Sequence, residues 1–127
     1  MAYVNIVTAL AVLQLIAFGF LVGSARVRYN IKAPASSGDP VFERYFRVQM
    51  NTLEQVVALV PGLYLFSHYF NPLVAAGLGV LYLVGRVLYA TSYIADPKKR
   101  GPGFLLSFAP VVFLLVGGIV GAVRELL

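Results

Sequence analysis

The chain has 127 residues, a net charge of +5, one histidine and no cysteine. Sixty per cent of the residues are hydrophobic and 12% are charged, with a mean hydropathy of +0.84, far from the roughly 25% charge of a soluble domain. This composition excludes an ordinary soluble globular protein. It also excludes disulfides and cysteine metal sites, and a lone histidine cannot build a metal cluster, so no metal is expected. Any thiol chemistry must use a thiol carried in by the substrate.

From Met1 to Ala25 no residue is charged. About 20 apolar residues cross a bilayer as a helix, so this stretch predicts a membrane helix over 3–25. A cleaved signal peptide is the alternative, but the stretch lacks a basic start and a convincing small-residue cleavage site. Arg26, Arg28 and Lys32 then lie in or beside a first loop. The run Ala33-Pro34-Ala35-Ser36-Ser37-Gly38-Asp39-Pro40 is a turn-rich connection whose prolines withhold backbone donors.

A second helix is expected over 43–68, and it opens with FERYFRVQMNTLE, from Phe42 to Glu54. Arg47, Asn51 and Glu54 stand at i, i+4 and i+7, so they share a helix face, with Arg44 and Gln55 beside them. Charged groups at membrane depth normally face a bundle interior or a wet cavity. The stripe therefore predicts a polar pocket between helices.

Asn71-Pro72 closes a short turn next to His68, which reads as an interfacial polar residue. A third helix follows over 72–95. On it Tyr82, Arg86, Tyr89 and Tyr93 recur at spacings of four, three and four, which stacks a guanidinium and three phenols along one stripe. That stripe alone fits bundle support, with Arg86 pairing Glu54. Together with the second-helix stripe it predicts a site for an anionic or zwitterionic ligand, since arginine recognises carboxylates, glutamate accepts an ammonium group, and asparagine serves either. Lys98, Lys99 and Arg100 fill the third loop. The last helix is expected over 103–125, where Gly117 and Gly121 form a GxxxG pair suited to close packing. The predicted architecture is an all-α integral membrane protein, a single four-transmembrane-helix bundle over residues 1–127. Its first and third loops are the basic ones, which places them on the cytoplasmic side and both termini on the opposite side.

These words resemble the MAPEG family, the membrane-associated proteins of eicosanoid and glutathione metabolism. The match rests on Ser24-Ala25-Arg26, on Phe42-Glu43-Arg44 through Arg47, Gln49, Asn51 and Glu54, and on Arg86, Tyr89, Tyr93 and Arg100. It covers nearly the whole chain. The resemblance implies a homotrimer with glutathione held between neighbouring protomers near the cytoplasmic side. It implies glutathione contacts at Arg26, Arg47, Gln49, Asn51, Glu54, Tyr89 and Tyr93, with Arg100 as the thiol activator and Arg86 as structural support. Glutathione is thereby expected as co-substrate and a hydrophobic electrophile or lipid hydroperoxide as second substrate, in a transferase with possible peroxidase activity. Two positions depart from animal members: Gln55 replaces a tyrosine, and Val27 replaces the second arginine of the leukotriene-forming synthase. The family also includes a lipoxygenase-activating protein without glutathione chemistry, so a noncatalytic lipid-binding or scaffold protein is the alternative. A small multidrug transporter fits less well, because the first helix offers only Asn5 and Gln14 where an exchanger needs a membrane acid.

Overall fold

In the computed structural model, which describes Met1 to Leu127, the chain forms four long helices: α1 (Ala2–Tyr29), α2 (Pro40–Tyr69), α3 (Pro72–Ala95) and α4 (Gly101–Leu126). A short 3-10 turn, Pro97–Lys99, links α3 to α4. The boundaries follow local chemistry. Asp39 accepts from the backbone N–H of Val41 at 2.9 Å and of Phe42 at 3.0 Å, with Pro40 at the first helical position. Asn71 caps α3 in the same way through Leu73 N–H at 2.9 Å, ahead of Pro72. Both pair a side-chain acceptor with a proline that has no N–H to orphan.

Helix α1 runs past the expected boundary and carries Arg26 and Arg28 in its final turn rather than in a loop. Basic side chains are favoured there, where the last carbonyls concentrate negative charge. The helix stops at Asn30, which adopts a left-handed conformation with φ 57°, a geometry asparagine tolerates better than most residues.

Three helices, α1, α3 and α4, are long and apolar enough to cross a membrane. The exception is α2, whose first half is polar. Its second half is apolar and supplies Val56, Leu59, Leu63 and Phe66 to the main core, with Val4, Val7 and Ala11 of α1, Ala75 and Ala76 of α3, and Val111 and Leu114 of α4. Large apolar side chains also cover the outside, among them Phe20, Val57 and Ile119, as expected for a surface solvated by hydrocarbon.

Small residues set the helix spacing. A Cβ at Gly85 would lie 2.6 Å from the backbone nitrogen of Ser107, and one at Gly103 would collide with the backbone of Tyr89. Backbone cannot move aside as a side chain can, so α3 and α4 meet here at closest approach. The GxxxG pair behaves as expected, with Gly117 packed on Phe66 and Gly121 on Tyr69.

Candidate functional site

The α3–α4 crossing and the polar half of α2 enclose a cleft of about 570 Å³ at one end of the bundle. Arg47 and Asn51 reach it from α2, Tyr89 and Tyr93 from α3, Arg100 from the turn that leads into α4, and Phe104 from the first turn of α4. Five of the residues expected to bind or activate ligand thus converge from two helices and the turn before a third. The aromatic wall is continuous: the Tyr89 ring lies 5.6 Å from that of Tyr93 and 6.3 Å from that of Phe104.

Behind this wall sits Arg86, with no solvent exposure. It does not pair with Glu54, the partner considered for it from sequence. Its Nη1 donates to Asn51 Oδ1 at 2.7 Å and to Thr52 Oγ1 at 3.3 Å, and its Nε donates to Ser107 Oγ at 3.0 Å. The guanidinium also lies 4.2 Å from the Tyr89 ring centroid, within range of a cation–π contact. Glu54 pairs instead with Arg47, at 3.1 Å, and both side chains are about half exposed.

The shared face of α2 is therefore divided. Asn51 turns inward beneath α3, while Arg47 and Glu54 face outward, because α3 covers only the Asn51 side of the stripe. Gln55 is buried, and Arg44 leaves the stripe altogether. Its guanidinium donates to the carbonyls of Ile94 at 2.9 Å and Ala95 at 3.3 Å, where it satisfies the orphan acceptors at the end of α3.

Arg100 is exposed and donates to the carbonyl of Pro97 at 3.1 Å. The remaining N–H groups of its fork are free to turn toward a ligand. Arg26, Gln49 and Glu54 do not line the cleft, though Glu54 borders it through its pair with Arg47. Arg26 donates to the carbonyl of Ala35 at 2.6 Å and stacks over Phe42, its guanidinium carbon 5.0 Å from the ring centroid. Gln49 lies against α1, where a Cβ on Gly19 would sit 3.0 Å from its Nε2. The expected contacts thus fall into two sets, one in the cleft and one along the α1–α2 side.

Two residues were missed from sequence, Thr52 and Ser107, which complete the cradle of Arg86. A signal existed for both, since a hydroxyl in an apolar helix needs an acceptor such as the i−4 carbonyl. Ser107 does donate to the Gly103 carbonyl, at 3.0 Å.

A helical protein with three evident membrane spans, carrying a cleft lined by arginine, asparagine and tyrosine at one end, is the class these features define. The sequence matches the MAPEG family over residues 4–120, and the chain belongs to that family. It is 41% identical to an uncharacterized protein of Synechocystis, over 95% of this chain and 88% of that one. It is 37% identical to microsomal glutathione S-transferase 2 of Homo sapiens, over 95% of this chain and 82% of that one. It is 35% identical to leukotriene C4 synthase of Rattus norvegicus, over 74% of this chain and 63% of that one.

Proposed function

We propose that the protein is a membrane glutathione transferase that prepares the glutathione thiolate for attack on hydrophobic electrophiles. The observation that carries this reading is the convergence of Arg47, Asn51, Tyr89, Tyr93 and Arg100 on one cleft, in a chain similar to a microsomal glutathione S-transferase. Two exposed guanidinium groups and an amide suit the carboxylates and peptide groups of glutathione, and Glu54 suits its ammonium group.

The chemistry asked of the protein is modest. Arg100 beside the sulfur favours thiolate over thiol, and the thiolate is the nucleophile. The thiol proton leaves to solvent, sulfur forms a bond to the electrophilic carbon, and the electron pair of the broken bond leaves with the displaced group. Holding both reactants in the cleft supplies the rest through proximity. A lipid hydroperoxide fits the same scheme as a peroxidase substrate: sulfur attacks the distal oxygen, the alcohol leaves, and a second glutathione completes the disulfide with release of water.

The electrophile enters laterally from the bilayer in this reading. All four helices span the membrane, the first and third loops face the cytoplasm, and both termini lie on the other side. The surplus of basic residues at Arg26, Arg28, Lys32, Lys98, Lys99 and Arg100 supports that orientation. A homotrimer is supported by the placement of Arg26 and Gln49: one protomer leaves them outside its cleft, and a neighbour's α1–α2 side could bring its own pair to it.

A titration of the purified protein with glutathione in detergent, followed by thiolate absorbance, tests the reading directly. A saturable thiolate signal near neutral pH is expected. Its absence, with the protein folded, would leave a noncatalytic lipid-binding role. Orientation is tested by cysteines at Ser37 and Asn71, the first expected to react with reagents confined to the cytoplasmic side and the second from the opposite side.

A further inference from the structure

Arginine has donors and no acceptor. The atom of Asn51 that faces Arg86 at 2.7 Å is therefore the amide oxygen, which leaves the amide NH2 as the end available to the cleft that Asn51 lines. An asparagine held only by packing could present either end. We propose that Arg86 is a positioning residue that fixes Asn51 as a hydrogen-bond donor toward the cleft, so that the ligand group seated there is an acceptor oxygen, a carboxylate or a peptide carbonyl. This rests on the glutathione reading above and narrows it.

Charge supports the same conclusion. The five acidic residues of the chain are engaged or placed elsewhere. Asp39 caps α2 and Asp96 caps the 3-10 turn, Glu54 pairs with Arg47, and Glu43 and Glu125 are exposed. The guanidinium of Arg86 is thus fully buried without a carboxylate, held by the dipoles of Asn51, Thr52 and Ser107 and by the Tyr89 ring. Its Nη2 is buried and has no partner. A cation confined in a poorly screened interior acts over several ångströms. Set directly behind Asn51 and Tyr89, it adds to Arg47 and Arg100 in favouring negative charge in the cleft.

The test uses S-hexylglutathione, whose blocked sulfur removes thiolate activation from the measurement, and the full-length protein in detergent. Asn51→Asp is nearly isosteric and still offers Arg86 an oxygen, but it removes the donor and neutralises the buried cation. Its midpoint of thermal unfolding should equal or exceed that of the parent, while affinity for S-hexylglutathione falls about tenfold or more. Arg86→Lys keeps a charge and a donor toward Asn51 Oδ1, so affinity should stay within about threefold of the parent even where the unfolding midpoint drops. A merely structural Arg86 and Asn51 predict parental affinity in both variants, whatever happens to the midpoint. Parental affinity in Asn51→Asp would overturn the inference and leave the glutathione reading standing, whereas a parent protein that does not bind S-hexylglutathione would overturn both. If Asn51→Asp does not fold, Arg86→Met decides, because it removes the donor that orients Asn51: folded protein whose affinity falls about tenfold supports the inference, and folded protein with parental affinity overturns it.

Discussion

Arg86 and Arg100 carry the same guanidinium group at the two ends of one short stretch, and the protein treats them in opposite ways. Arg86 is fully buried and bonded to Asn51, Thr52 and Ser107. Arg100 is exposed and tied only to the carbonyl of Pro97 in its own turn. A buried charge is tolerable only when dipoles or partners replace the water it has lost. An exposed one keeps its hydration and its freedom to reorient. In the proposed reading the pair separates two duties at one cleft: a fixed charge behind its wall, and an exposed charge that meets the reacting sulfur.

The largest expected effect breaks the fixed half of that comparison. Arg86→Met strands three oxygen acceptors in the bundle interior and should cost about 3–5 kcal/mol of stability, measured by denaturant unfolding in detergent. A loss under about 1 kcal/mol would mean that the buried guanidinium organises nothing.

Arg100→Ala should break the mobile half. Turnover near neutral pH should fall about a hundredfold, equivalent to about 2.7 kcal/mol, while glutathione affinity changes little because Arg47, Asn51 and Glu54 remain. The bound thiol should titrate at higher pH, so part of the lost rate returns as pH rises and more thiolate forms unaided. Arg100→Lys should recover only a fraction, since it restores charge without the planar fork. Parental rates at every pH would leave Arg100 a topological role alone.

Gly85→Ala sharpens the comparison through the backbone. Its Cβ would stand 2.6 Å from Ser107 N, so α4 must shift away from α3, at a cost of about 1–3 kcal/mol, and Ser107 is drawn off Arg86. Gly23→Ala is the control, since nothing lies within 4 Å of that position, and it should leave the unfolding midpoint unchanged or slightly raised. Equal effects at the two glycines would mean that the α3–α4 contact does not govern stability.

The smallest stability effect belongs to the outward pair. Arg47→Ala and Glu54→Ala should each change stability by less than about 1 kcal/mol, because both side chains are half exposed. Glutathione affinity should nevertheless fall by about 1–3 kcal/mol in each. Unchanged binding in both, measured by calorimetry, would remove the outward pair from the site.

The sequence made the four helices legible within a few residues at each end, because charge-free runs and Asn71-Pro72 are local signals, whereas Asp39-Pro40, read as part of the first connection, in fact opens α2. Periodicity also put Arg47 with Asn51 on α2 and Tyr89 with Tyr93 on α3, and those two pairs do meet across the cleft. Periodicity could not tell which edge of a stripe a neighbouring helix covers. For that reason Arg47, Asn51 and Glu54 looked equivalent, although one is buried and two are not. Arg86 was read as bundle support, and the partner suggested for it was the carboxylate of Glu54. The actual partners are the small hydroxyls of Thr52 and Ser107 and the amide of Asn51, and the reach to Ser107 depends on Gly85 and Gly103 letting the backbones of α3 and α4 approach. Contact across helices at that range leaves no mark on either helix's own period.

Helix α2 is 30 residues long, about 45 Å at 1.5 Å per residue, against a hydrocarbon layer of about 30 Å. On the proposed topology its polar half, which carries Arg47 and Asn51, stands toward the headgroup zone and its apolar half toward the membrane interior. The proposed reaction at that boundary would draw one substrate from water and the other from a two-dimensional solvent. Its rate would then follow the mole fraction of electrophile in the lipid and not the amount in the vessel. Adding inert lipid at constant total electrophile should slow turnover by dilution within the surface, and a more lipophilic electrophile should be used at lower total concentration for reasons that lie in the bilayer and not in the cleft.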